Sequence, residues 1–211
     1  STPAPGRTPL PQHSMAKFND IQLLRINYLR GPNIWTYRPV LEVWLDLGDL
    51  ENHPSHQIPG LNERLTAWLP ALIEHHCGVG ERGGFLQRLQ EGTWCGHVLE
   101  HIVIELLNLA GMPTGFGQTR STSVHGVYRM VFRARDEQVA RMALAQGHRL
   151  IMAAINDEVE WRHGGIENVD CDKALMVSSN LSQRLESIIL KMIFTASSLE
   201  SALTASTDTR S

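Results

Sequence analysis

Lysine is nearly missing from this chain: Lys17, Lys173 and Lys191 are the only three in 211 residues, and none follows a glycine. A phosphate-gripping G-x-x-x-x-G-K-[ST] loop is therefore excluded, so neither ATP nor Mg is expected to bind this chain. Cysteine is as sparse. Cys77, Cys95 and Cys171 lie far apart with no C-x-x-C spacing, which argues against a disulfide framework or a cysteine zinc knuckle and makes a reducing, cytoplasmic setting the expectation. Long apolar runs are lacking too. The longest, around Leu106 to Met112, is too short to cross a bilayer, and the first twenty residues have no charged start followed by an apolar stretch, so neither a membrane span nor export is expected. Nor is there an excess of charge of one sign. A net charge of -3 with 19% charged residues provides no global field to draw in nucleic acid.

What is present suffices for one domain: 42% of the residues are hydrophobic, enough for a single core at this length. Residues 1–16 form a proline-rich extension, with Pro3, Pro5, Pro9 and Pro11 and no apolar periodicity, and are expected to be disordered. Strand spacing recurs from Ile21 to Leu29 and from Val40 to Leu47, where Leu41, Val43, Leu45 and Leu47 share one face. Helical spacing follows from Asn62 to His76, with Pro70 expected to kink it, and again near Phe85 to Gln90. Thr93 to Ala110 is the clearest helix, closed by Gly111 and Pro113. Val127 to Arg133 alternates as a strand, and Asp136 to Ile155 reads as a last helix capped by Asp136. The expected class is α+β, a small mixed sheet of about three or more strands packed with helices, over residues 17–157. Residues 158–211 change composition; Leu181, Leu185, Ile188 and Met192 suit one amphipathic helix there, followed by a disordered end.

The helix 93–110 divides its residues sharply. Val98, Leu99, Ile102, Val103, Leu106 and Leu107 fill one arc, while His97, Glu100, His101, Glu105 and Asn108 fill the other. Ile104 breaks the pattern. An apolar side chain on the polar arc points to a covered groove and not to a solvated face. His97 and His101, one turn apart, suit two nitrogens gripping one tetrahedral zinc ion, and Glu100 stands beside them. His97-Val98-Leu99-Glu100-His101 is therefore H-x-x-E-H, the inverted zinc-hydrolase pattern with the carboxylate as general base. The plainer alternative is a partly wet helix face. A third ligand is required: Glu105 is the nearest candidate, at about 80° around the helix from His97, and His75 and His76 are rivals from another element.

Two glycine-rich loops call for comment. Gly78 to Gly83 matches G-x-G-x-x-G, but it follows a helix and not a buried strand, so a nucleotide role is rejected. Gly111 to Ser123 offers hydroxyls, backbone amides and Arg120 to a carboxylate-bearing or peptide-like substrate, and Arg82 could serve likewise. A plain helix-to-strand connector is the equal alternative.

Several stretches then occur in order: Leu29-Arg30-Gly31-Pro32-Asn33-Ile34-Trp35, Ile58-Pro59-Gly60, Arg82-Gly83-Gly84-Phe85-Leu86, Glu91-Gly92-Thr93, Gly96 to His101, and Ala110 to Gly117. Together they resemble the N-terminal domain of cyanophycin synthetases, over roughly residues 17 to 157. The resemblance implies a cytosolic setting and a partner in cyanophycin, a polymer with an aspartate backbone and arginine on each side-chain carboxylate. It also implies, in some members, a zinc-dependent metallopeptidase that cuts the polymer into primers. On that basis His97 and His101 are expected to hold the metal and Glu100 to act as base. The ATP-grasp and Mur-ligase-like domains of the family have no counterpart in these residues, so ligation by this chain alone is not expected. Further copies of the chain, or ligase domains supplied separately, are the other expected partners. The rival reading is a non-catalytic polymer-binding or assembly module, or a truncated remnant.

Overall fold

Alternation along Val40–Asp46 sends Leu41, Val43 and Leu45 to one side of a sheet and Glu42, Trp44 and Asp46 to the other. The computed structural model in which this is seen describes residues 18–77 and 80–156. The expected extension at 1–16 and the expected tail helix around Leu181 lie outside the described residues.

Strands β1 (Gln22–Leu29), β2 (Val40–Asp46), β3 (Gly117–Ser121) and β4 (Val127–Arg133) form one sheet in the order β1-β2-β4-β3, antiparallel at every pair. The α+β class is as expected, but the sheet is antiparallel throughout and not mixed. The reason is connectivity: β1–β2 and β3–β4 are each joined by a link without a helix, three of the helices lie between the two pairs and the fourth follows β4, so no parallel crossover is needed. Strand β3 falls in the stretch expected to be a loop. Gly-Gln-Thr-Arg-Ser has no apolar alternation to announce it, and it is held by pairing with β4 on one edge only.

Of the helices α1 (Leu61–Trp68), α2 (Gly84–Glu91), α3 (Cys95–Leu109) and α4 (Glu137–Asn156), α3 and α4 lie on the sheet, while α1 packs on α4 and α2 on the 3-10 turns. Pro70 does interrupt the first of these: α1 ends at Trp68, and the chain continues as a 3-10 turn over Pro70–Glu74 with the proline at its start. Asp136 caps α4, its Oδ1 accepting from the Val139 amide at 3.0 Å. At the other end of α3, Gly111 takes φ +79° and the amides of Gly111 and Met112 return to the carbonyls of Asn108 and Leu107. That is a Schellman stop, in which the left-handed residue turns the chain toward β3.

Leu41, Val43 and Leu45 meet Met130 and Phe132 of β4 and Leu99, Ile102, Val103 and Leu106 of α3 in one fully buried core. Burial of this kind is the main force holding α3 on the sheet, at about 25 cal/mol per Å² of apolar surface. Helices α3 and α4 approach closely at Gly147, where an added Cβ would stand 2.9 Å from Val103 Cγ2. On the opposite sheet face, Glu42 accepts from Asn27 Nδ2 at 3.1 Å, Trp35 Nε1 at 3.0 Å and Arg129 Nε at 2.8 Å. Burial there works to raise the Glu42 carboxyl, and these three donors outweigh it, holding the group below its ordinary range.

Candidate metal centre

Helix α3 has no solvated side along most of its length. Glu100, His101 and Glu105 of its polar arc are 4%, 6% and 4% exposed, Ile104 is covered with them, and His97 and Asn108 at the two ends of the arc are half-buried. The expectation drawn from Ile104 holds: this face looks into a cleft of about 1130 Å³, bounded by the 3-10 turn and its exit at Glu74 to Cys77, by the start of α3, and by β3.

His97 and His101 lie together as the spacing requires, their rings 4.9 Å apart and nearly perpendicular. The third group of the cluster is Cys77, which the sequence reading passed over. One ligand atom from each of Cys77, His97 and His101 falls within 4.8 Å of the others, and Cys77 Sγ is 3.3 Å from His97 Nε2. A lone cysteine with no C-x-x-C partner gave no sequence signal; its position beside His75 and His76 was the available hint. The donor set suits zinc, which takes thiolate sulfur and imidazole nitrogen.

Electrostatics favour ligation by the two imidazoles. Burial, helped by the Arg88 charge, lowers His97 to about 4. Burial, with the neighbouring His97 and His75 rings, lowers His101 to about 2. Both imidazoles are therefore neutral at pH 7, the form in which they can donate a lone pair. Burial, then the Glu100 charge, raises the Cys77 thiol, partly offset by Arg88; the proton would leave on binding a dication. Cys95, fully buried at the start of α3, is pushed up to about 12 by burial and is inert.

Glu100 sits on the cleft wall. Burial raises its carboxyl to about 7 against a hydrogen bond donated by Thr119 Oγ1 at 2.6 Å. Room for that carboxylate depends on Gly117, where a Cβ would lie 2.6 Å from Glu100 Oε1 and 2.6 Å from Ile104 Cδ1. Thr119 is another residue the sequence reading missed, because it belongs to the unrecognised strand β3. Thr93, whose Oγ1 lies 2.8 Å from His97 Nδ1, is a third.

The remaining expected site residues are placed differently. Glu105 points at His75, its Oε2 2.9 Å from His75 Nε2, and is not one of the three clustered groups. His75 Nδ1 lies 2.8 Å from His101 Nδ1. His76 is exposed on the cleft rim, 3.1 Å from the Gly80 carbonyl. Arg82 is exposed and grips Glu74, Nε to Oε2 at 2.9 Å, while Arg120 alternates with Thr119 and falls on the other face of the sheet. Neither arginine lines the cleft; its cation is Arg88.

A family model described as the cyanophycin synthase-like N-terminal domain matches residues 42–156. Among curated proteins, a cyanophycin synthetase of Geminocystis herdmanii is 42% identical over 171 residues, covering 80% of this chain and 20% of the relative. Cyanophycin synthetases of Crocosphaera subtropica and Synechocystis sp. are 44% and 45% identical over 138 residues, in each case 64% of this chain and 16% of the relative. The matched stretch is thus about a sixth to a fifth of the length of these relatives. Among the described residues no helix is long and apolar enough to cross a membrane.

Proposed function

This chain belongs to the cyanophycin synthase-like N-terminal domain family, and from that premise we propose that it binds cyanophycin in the cleft along α3 and cleaves it as a zinc-dependent endopeptidase. The observation that carries the reading is the convergence of Cys77, His97 and His101 within 4.8 Å of one another, one residue from the carboxylate of Glu100. In this proposal these three residues hold the metal, and Cys77 takes the place that sequence spacing suggested for Glu105. The chemistry a zinc ion would bring here is Lewis acidity toward the attacked carbonyl and the attacking water.

The chain's own groups carry the rest. Glu100 accepts a proton from water as the new C–O bond forms, then returns it to the leaving nitrogen as the amide C–N bond breaks. Thr119 fixes one carboxylate oxygen so that the other is available. Trp94 and Tyr128 line the same cleft; aromatic faces are what a polymer carrying a guanidinium on every unit can stack on. The synthetase activity in the relatives' names is not assigned to this stretch.

The test is incubation of purified cyanophycin with the zinc-loaded chain and with its Glu100→Gln variant, followed by polymer length on a gel. Shortening by the parent and not by the variant supports the hydrolase. Binding of polymer without shortening would leave a polymer-docking module instead.

A further inference from the structure

His75 bridges two residues one turn apart on α3. Its Nε2 is 2.9 Å from Glu105 Oε2 and its Nδ1 is 2.8 Å from His101 Nδ1. The His75 and Glu105 side chains are 8% and 5% exposed, so water competes little for these bonds. The main chain places His75 here: its carbonyl accepts from the Phe85 amide at 3.1 Å, and its own amide reaches Leu72 O at 3.1 Å. The 3-10 turn and α2 together press the ring against α3.

Which atom carries which proton follows from the chemistry of the partners. A carboxylate can only accept, so His75 Nε2 must donate to Glu105. In its neutral form His75 then has a lone pair at Nδ1, and the bond to His101 must be donated by His101 Nδ1. His101 is thereby committed to the tautomer with hydrogen on Nδ1, leaving Nε2 with its lone pair as the atom it can offer a metal. The opposite tautomer would set a lone pair against a lone pair at 2.8 Å.

We propose that Glu105 and His75 form a relay that fixes the tautomer of His101, making both positioning residues of the candidate metal centre and neither a ligand. This deepens the zinc reading of the site and its metal-affinity arm rests on it, but the tautomer itself is a property of the metal-free protein. Groups of this kind, one bond removed from a ligand, commonly control about 10–100-fold in metal affinity.

Two measurements on the full chain test the relay. The first is two-dimensional nitrogen–proton NMR of the metal-free protein at mildly alkaline pH, which reads imidazole tautomers directly. His101 is expected with its hydrogen on Nδ1, and with a mixture of tautomers in His75→Leu. The second is zinc affinity by competition with a chromophoric chelator. Glu105→Leu and His75→Leu should each lose about 10–100-fold. Glu105→Gln and His75→Gln, whose amide oxygens can still accept the required proton, should stay within a few-fold of the parent and control for folding. A His101 Nδ1–H tautomer in a protein that fails to take zinc would uphold the relay while ending the zinc proposal. Hydrogen on His101 Nε2 in the parent, or equal zinc affinity in the parent and both leucine variants, would overturn it.

Discussion

The phenyl ring of Phe85 lies flat on the imidazole of His101, centroids 4.0 Å apart and planes 19° from parallel. Phe85 is fully buried and meets His97 edge-on as well, at 6.0 Å. One core residue of α2 therefore sets the plane of one clustered histidine and backs the other. Phe85→Ala should cost about 3–5 kcal/mol of stability, read by denaturant unfolding. Phe85→Leu, which fills much of the space but cannot stack, should keep the fold while zinc affinity falls by about tenfold. Unchanged affinity in the leucine variant would show that stacking does not orient the ring.

Replacement of Cys77 by serine tests the group that sequence spacing did not find. Cys77→Ser should remove tight zinc binding, measured as metal content after dialysis, because a neutral hydroxyl is a poor substitute for thiolate. Far-ultraviolet circular dichroism should be unchanged, since Cys77 is only half-buried and follows the end of the 3-10 turn. Retention of one equivalent of zinc would move the third ligand elsewhere, with Glu105 the next candidate.

The contrast between Cys77 and His97 marks what the sequence could and could not reveal. His97, Glu100 and His101 were legible because helical periodicity fixes neighbours within one element, and Ile104 betrayed the covered face for the same reason. Cys77 and Thr119 reach the site through tertiary packing, about which spacing is silent, whereas Thr93 lies one turn before His97 and was within reach of the same periodicity. Strand β3 was unreadable since an edge strand of Gly, Gln, Thr, Arg and Ser carries no alternation. Arg82 and Arg120 drew notice as cations in loops, yet one is held by Glu74 and the other lies beyond the sheet.

Gly117 is a steric requirement of the site. A methyl group there would stand 2.6 Å from Glu100 Oε1, so Gly117→Ala must displace the carboxylate or the strand. The expected result is retained zinc with polymer cleavage reduced by about 10²-fold, the scale on which misplacement of a reacting group is felt. Cleavage at the parental rate, in a gel assay of polymer length, would remove Glu100 from the role of base.

Acid stability should report on Glu42. Its folded-state carboxyl lies below the ordinary 4.5, so the unfolded chain binds the proton more readily than the folded one. The stabilisation is complete above that ordinary value and is lost as pH falls through the folded one. Glu42→Gln should therefore lower stability at neutral pH by about 1–3 kcal/mol and show a shallower loss below pH 4.5. Parallel curves for parent and variant in acid would mean that Arg129, Trp35 and Asn27 do not hold the charge.

Every residue of α3 from Val98 to Leu107 is buried, which leaves the helix without a neutral side. In a saturation mutagenesis screen an ordinary surface helix yields a stripe of tolerance every three or four positions. Here that stripe should be absent: hydrophobic positions would fail through unfolding and polar ones through lost chemistry, giving one unbroken block of intolerance. Selection on this segment would then act at every position, with stability and chemistry guarded by different side chains of the same turn.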